Sequence, residues 1–161
     1  MGIAGHIGFA FDPDGEAEAI IAVTSDNLSG EPEWLARPTH FGVHGDNWQE
    51  IDLVLQKLAA NDSSLGCLAK VITGSQVVGE GPITNWVLHR ADDIREMAAA
   101  FDRVTERALC LAVEQTLVDP VLQGWTYPDE VKAPLKEEIR VLGREIADLA
   151  KNGWAMIGCL C

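Results

Sequence analysis

Basic residues are scarce in this chain, above all in its first half. Residues 1–80 contain three Lys or Arg against twelve Asp or Glu, and residues 81–161 contain nine against thirteen. The formal net charge is -13 at pH 7. A field of this sign repels phosphate groups, so the composition disfavours nucleic-acid binding and attachment to anionic membranes. The charge either attracts a basic protein partner or only keeps the protein soluble.

Long apolar runs and a secretory signal are also missing. No stretch approaches the length of a membrane span. The first basic residue is Arg37, so no positive region precedes the apolar start, which Asp12 and Asp14 interrupt. We therefore expect a cytoplasmic protein with no membrane association and no cofactor. Its four cysteines are then expected to be reduced: Cys67, Cys110, Cys159 and Cys161.

The rest of the composition is that of one ordinary globular domain. Hydrophobic residues make up 47% and charged residues 23% of the 161 residues, which is enough apolar material for one core. No internal repeat, low-complexity segment or linker divides the chain. We therefore expect a single domain over residues 1–161.

The clearest helical pattern lies in the last third of the chain. Apolar residues recur there at spacings of three and four, which is typical of one buried helix face: Val131, Leu135, Ile139, Leu142, Ile146 and Leu149. We predict a helix that begins between Asp129 and Pro134, because proline fits only the first turn, and that ends at Gly153. Residues 154–161 are predicted as a closing strand, whose exposed edge is compatible with a homodimer.

Weaker patterns predict the elements of the first half. Residues 3–11 are predicted as a strand, and residues 16–24 as a helix, although a strand is the alternative there. Glycines and prolines mark residues 25–47 as an irregular connection. A helix is predicted over residues 48–60, and a second, shorter helix follows it.

The middle of the chain alternates between short extended pieces and a long helical pattern. Residues 76–78 and 83–89 are predicted as extended, and a helix is predicted from about Ala91, with a possible continuation to Leu117. The predicted inner face of that helix consists of Ile94, Ala98, Phe101, Val104, Ala108 and Leu111. The whole order indicates an α+β fold, a helix-rich single domain with a few short strands.

The sequence resembles one known family over nearly its whole length. The resemblance rests on the order and spacing of these segments: Met1-Gly2-Ile3-Ala4-Gly5, the helix from Trp48 to Leu55, Leu65 with Gly74 and Gly79, residues 93–109, Tyr127-Pro128, and Lys151-Asn152-Gly153 before an apolar tail. The chain is similar in these respects to the YfbM-like family of small uncharacterised bacterial proteins. It departs from the family pattern at Asp52, where a His is expected, and at Cys159 and Cys161. The resemblance implies a helix-rich α+β cytosolic domain and no particular activity.

Two histidines and a carboxylate form the best candidate for chemistry, His40-x-x-x-His44-x-Asp46. On a helix, histidines four residues apart share a face and bind zinc, with a carboxylate as a third ligand. Pro38 and Gly42 make the segment a poor helix, so a surface or structural role is the favoured interpretation. The three residues remain weak candidates for a metal site.

Two other motifs indicate structural rather than catalytic or ligand-binding roles. Residues 74–81 are glycine-rich, but they lack a Gly-Lys-Ser/Thr sequence and contain Glu80, so they indicate a turn between short strands rather than a phosphate-binding loop. Cys159 and Cys161 alternate as expected for a half-buried strand. Neither motif identifies a reaction.

Acidic residues surround a tryptophan in the irregular connection, Glu31-Pro32-Glu33-Trp34. An exposed tryptophan among carboxylates is a plausible hot spot for a basic partner, and local packing beneath a loop is the alternative. With these three residues, Asp46 and Asp52 complete the candidate binding set.

Two functional interpretations follow. We favour a non-catalytic, acidic protein-binding module of immunity- or antitoxin-like character that uses residues 26–52 against a basic protein. The alternative is a small metal-binding protein or hydrolase that uses His40, His44 and Asp46.

Overall fold

The apolar patterns fold into helices that pack with an antiparallel sheet. The structure, a computed structural model, describes residues 6–11, 41–43, 47–74, 76–80, 85–122 and 129–160. The α-helices within these ranges are α1 (Trp48–Asn61), α2 (Ala91–Arg103), α3 (Glu106–Leu117) and α4 (Lys132–Asn152). The strands are β1 (His6–Phe11), β2 (Phe41–Val43), β3 (Gln76–Glu80), β4 (Asn85–His89) and β5 (Ala155–Leu160). Shorter 3-10 helices span Ser63–Lys70, Pro120–Leu122 and Asp129–Val131.

The last helix and its boundaries follow the predicted pattern. α4 begins at Lys132, directly after a 3-10 turn, so Pro134 lies in the first turn where its missing N–H costs little. At the other end Gly153 adopts φ 69°, and its N–H donates to the Ala150 carbonyl. The left-handed conformation at Gly153 ends the helix and directs the chain into β5.

The last strand, β5, lies in the middle of the sheet. The strand order is β2-β1-β5-β4-β3, and every neighbouring pair is antiparallel. Ile157 of β5 pairs with Phe9 of β1 on one side and with Leu88 of β4 on the other. The prediction of a closing strand is confirmed, but the prediction that this strand offers an exposed edge is wrong. Both edges of β5 are paired within the sheet, so neither edge is open for the predicted homodimer contact.

The long helix predicted from Ala91 is two helices. Val104 and Thr105 take extended backbone conformations, and the Thr105 hydroxyl accepts a 3.2 Å hydrogen bond from the Ala108 N–H at the start of α3. A threonine that caps a new helix competes with continuation of the old one. The predicted inner face is wrong in part, because α2 buries Ile94, Met97 and Ala100 and because Leu111 is 47% exposed.

One hydrophobic core joins the helices and reaches the sheet. α2 packs against α4 and α1 against α3, while α2 also contacts β4 and β5. Fully buried side chains come from all four helices and from the 3-10 helix between α1 and β3. The largest among them include Leu55, Leu68, Ile94, Ile139 and Ile146. The described residues thus confirm the helix-rich α+β class.

Several predictions fall on residues that the structure does not describe. The helix predicted for residues 16–24 lies outside the described ranges, as does most of the connection at residues 25–47. Within that connection, Phe41–Val43 forms strand β2. The glycine-rich segment predicted as a turn contains β3, which runs through Gly79 with an irregular register next to β4. In the described part, no helix combines the length and apolar character needed to cross a bilayer.

Candidate functional site

The structure describes the C-terminal end of the predicted binding region. Asp52 lies in α1 and is described. The other predicted residues lie outside the described ranges: Glu31, Glu33, Trp34, His40, His44 and Asp46. Their roles as a binding set or as metal ligands remain predictions.

The segment between the two predicted metal-binding histidines is a strand. β2 occupies Phe41–Val43, so the three residues between His40 and His44 are extended and not helical. Within the described ranges, no group of three or more His, Cys, Asp or Glu side chains is arranged to hold a metal ion. That observation does not extend to His40, His44 or Asp46.

The first turn of α1 is tied to α4 by a polar contact. Asn47 precedes the helix, and its Nδ2 donates a hydrogen bond to Glu138 Oε2. Its Oδ1 atom is buried and accepts no hydrogen bond from the described residues. Glu50 is 8% exposed in the first turn, where the partial positive charge of the helix N-terminus favours a carboxylate. The start of α1 is therefore fixed against α4 in an acidic environment.

Asp52 is the acidic side chain that continues the predicted binding segment into the helix. Burial raises the pKa of its carboxyl group, and a 2.7 Å hydrogen bond from Gln56 Nε2 to Asp52 Oδ2 acts in the opposite direction. Asp52 Oδ1 is buried and receives no donor from the described residues. A cation close to this half-buried carboxylate would stabilise its charged form.

The two acidic residues of α1 do not form one cluster. Glu50 and Asp52 are two residues apart, which separates them by about 200° around a helix. Ile51, Val54 and Leu55 fill the buried face between them. Asp52 therefore belongs to a different flank of α1 from Glu50.

A second polar region, which the sequence did not indicate, lies where α2, α3 and α4 meet. Arg140 Nη2 lies 2.6 Å from Glu106 Oε2, and Arg144 Nη2 lies 3.0 Å from Glu137 Oε1. The hydrogen bond from Arg140 lowers the pKa of the Glu106 carboxyl group. Glu106, Arg140 and Arg144 border a groove of about 290 Å³. The helix break at Thr105, which opens this groove, carries a local signal: a threonine followed directly by a glutamate is typical of a helix start.

Cys67 lacks the features of a reactive thiol. Burial is the main cause that raises the pKa of Cys67, whose Sγ donates to the Glu96 carbonyl at 3.7 Å. A raised pKa lowers the thiolate fraction and hence nucleophilicity. Cys110 is half-buried, with its Sγ 3.5 Å from Glu106 Oε1 and 3.7 Å from Lys136 Nζ.

His89 at the end of β4 has a structural environment. It is fully buried, and its Nε2 lies 3.0 Å from the Val71 carbonyl oxygen. Burial lowers the pKa of the imidazole, so the neutral form is favoured. The contact fixes β4 to the end of the 3-10 helix that follows α1.

Together these elements define a helix-rich α+β protein with an antiparallel, five-stranded sheet whose central strand is β5. Among solved structures, the chain is similar to the crystal structure of YfbM from Escherichia coli, a protein of unknown function. The similarity covers 98% of this chain and 99% of that chain, with a TM-score of 0.57 and 12% sequence identity. It shows that the fold is YfbM-like, as the resemblance predicted. No family model matches the chain, and the curated proteins contain no significant match.

Proposed function

We propose that this protein is a non-catalytic, acidic binding module of immunity- or antitoxin-like character. It recognises a basic protein through residues 26–52. Glu31, Glu33, Trp34, Asp46 and Asp52 are the side chains proposed to make the contact.

The distribution of charge supports a basic partner. Residues 12–46 hold eight of the 25 acidic residues and only one basic residue, Arg37, so they carry -7 of the total charge of -13. In the described part, several cations already pair with carboxylates, as in Lys57–Asp119, Arg140–Glu106 and Arg144–Glu137. An acidic stretch with a single basic residue attracts a basic surface and speeds its association.

The observation that carries the proposal is the state of Asp52. Its carboxylate is half-buried in the second turn of α1, six residues after the acidic stretch. Gln56 occupies Oδ2, while Oδ1 accepts no hydrogen bond from the described residues. A Lys or Arg of the partner placed against this half-buried carboxylate stabilises its charged form, and partial burial makes this attraction stronger than that of an exposed ion pair.

A capture experiment at two salt concentrations tests the proposal. Tagged protein is incubated with bacterial lysate, and the bound proteins are identified after washes at 0.1 M and 1 M salt, where the screening length falls from about 10 Å to about 3 Å. We expect one basic protein to be retained at low salt and released at high salt.

Substitutions then locate the contact on the surface. With the captured protein purified, Asp52→Asn should weaken binding by at least about threefold, because it removes a charge without changing the side-chain shape. The matched control is Glu114→Gln on the exposed face of α3. Capture that survives 1 M salt, or equal weakening by both variants, would refute recognition through residues 26–52.

A further inference from the structure

A groove between three helices combines an apolar floor with charged walls. It lies where α2 ends, α3 begins and the middle of α4 passes beneath them, and its volume is about 290 Å³. The floor is formed by Phe101, Val104, Leu109, Ile139 and Ala147. A volume at the lower limit of about 300 Å³ for small-molecule sites excludes large ligands such as dinucleotides.

The helix packing beneath the groove depends on a missing side chain. Gly143 sits in the middle of α4, where glycine is unfavourable by about 1 kcal/mol relative to alanine. A Cβ added there would lie 3.1 Å from Cδ1 of Phe101. The glycine thus lets the end of α2 approach α4 closely and keeps Phe101 at the groove.

Most charges around the groove are already neutralised. Arg140 contacts Glu106 at 2.6 Å and Glu137 at 3.4 Å, and Glu106 also lies 3.5 Å from Lys136. The Thr105 hydroxyl accepts the Ala108 N–H. These groups have little remaining capacity for a ligand.

Two groove residues of opposite charge keep capacity for a ligand. Arg144 is 64% exposed and uses Nη2 for Glu137, which leaves most of its five N–H donors available. Asp102 has no ion pair within 4.0 Å and no side-chain hydrogen bond among the described residues. Both line the groove, yet they do not pair with each other.

We propose that this groove binds a free α-amino acid with an apolar side chain. The ligand carboxylate accepts hydrogen bonds from Arg144, its ammonium group donates to Asp102, and its side chain covers the apolar floor. A zwitterion fits better than a simple carboxylate because the net charge of -13 repels anions but exerts no net force on a neutral ligand. An open groove of this size predicts weak binding, with a dissociation constant on the order of 1 mM.

An NMR titration of the full chain with three related compounds tests this proposal. The compounds are L-leucine, N-acetyl-L-leucine, which lacks the ammonium group, and 3-methylbutylamine, which lacks the carboxylate. We expect saturable shifts for L-leucine at the backbone amides of Thr105, Glu106 and Gly143. The other two compounds should bind at least about tenfold more weakly, because each lacks one charged hydrogen-bonding group.

Variants of the groove provide the second comparison. Asp102→Asn and Arg144→Gln should each weaken L-leucine binding at least about fivefold, while Glu114→Gln outside the groove should leave it unchanged. Ala147→Leu should fill the floor and abolish binding, and the same spectra report whether this variant remains folded. No saturable shift, equal binding of the three compounds, or shifts confined to residues outside the groove would overturn the proposal.

Discussion

Three glycine-to-alanine substitutions separate backbone conformation from steric fit in this fold. Gly74 has φ +85° and follows the 3-10 helix after α1, and Gly153 has φ +69° and ends α4. Gly66 has neither a positive φ nor a neighbour within 4 Å of an added Cβ. The first two positions share the left-handed conformation and differ in surroundings. At Gly153 an added Cβ meets nothing within 4 Å, whereas at Gly74 it would overlap Val87 Cβ and lie 2.8 Å from Val87 Cγ1.

The expected losses of stability follow from this difference. A left-handed alanine costs about 1–2 kcal/mol, so Gly153→Ala should lower the free energy of unfolding by about 1 kcal/mol. Gly74→Ala has the same cost plus overpacking against Val87, a buried residue of β4, which adds about 1–3 kcal/mol. The total expected for Gly74→Ala is therefore about 2–5 kcal/mol. Gly66→Ala should be neutral or slightly stabilising.

Urea unfolding followed by tryptophan fluorescence measures all three values on one scale. The midpoints should fall in the order Gly66→Ala, Gly153→Ala, Gly74→Ala, with unchanged slopes. If Gly74→Ala and Gly153→Ala lose equal stability within about 0.5 kcal/mol, the close approach of β4 to Gly74 is refuted, because additive independent effects agree to about that margin.

Three further predictions concern a buried histidine, a helix cap and metal content. Burial lowers the pKa of His89, so on acidification the unfolded state binds a proton before the folded state does, and the free energy of unfolding should fall as the pH drops below about 6.5. His89→Gln should show a flatter pH dependence of this free energy in urea unfolding. An identical pH dependence in the variant would contradict this account. Thr105→Ala removes the cap that receives the Ala108 N–H and should cost about 1 kcal/mol in the same assay, whereas no loss would argue against a separate start of α3. Elemental analysis of protein purified without chelator should find no stoichiometric zinc; one equivalent that is lost in a His40→Ala, His44→Ala double variant would instead establish the metal-binding alternative.

Local sequence patterns predicted the helices where the local signal and the tertiary fold agree. The helix predicted over residues 48–60 is α1, because Ile51, Leu55 and Leu58 recur at helical spacing and all become buried. α4 matches for the same reason, and its ends follow from a proline in the first turn and a glycine after the last. Such signals depend on neighbours within one helix and can be recognised in a single sequence.

The helix break between α2 and α3 was missed because periodicity continues across it. Phe101, Val104 and Ala108 keep helical spacing through Val104-Thr105, although the backbone there is extended. The deciding interaction is one hydrogen bond from the Ala108 N–H to the Thr105 hydroxyl, which a periodicity count does not weigh. The groove depends on this helix break, so the groove could not be predicted once the break was missed.

The strand order could not be predicted from the sequence for a different reason. β1 pairs with β5 across nearly the whole chain, from Phe11 opposite Ala155 to His6 opposite Leu160. No short turn joins these two strands to fix their pairing, and an apolar strand has the same sequence pattern at the edge of a sheet as in its centre. The tail was therefore recognised as a strand but placed at the wrong position in the sheet.

The two proposed interactions can be distinguished by their response to salt. A basic protein bound by residues 26–52 is attracted by a local excess of negative charge. The affinity of this complex should therefore fall steeply as the salt concentration rises. L-leucine carries no net charge, and the groove walls hold two carboxylates, Asp102 and Glu106, against two guanidinium groups, Arg140 and Arg144. Its binding depends on short-range hydrogen bonds and apolar contact, which salt screens little. If the basic partner occupied the groove instead, Ala147→Leu would weaken its capture and Asp52→Asn would not, so the same two variants assign each ligand to its surface.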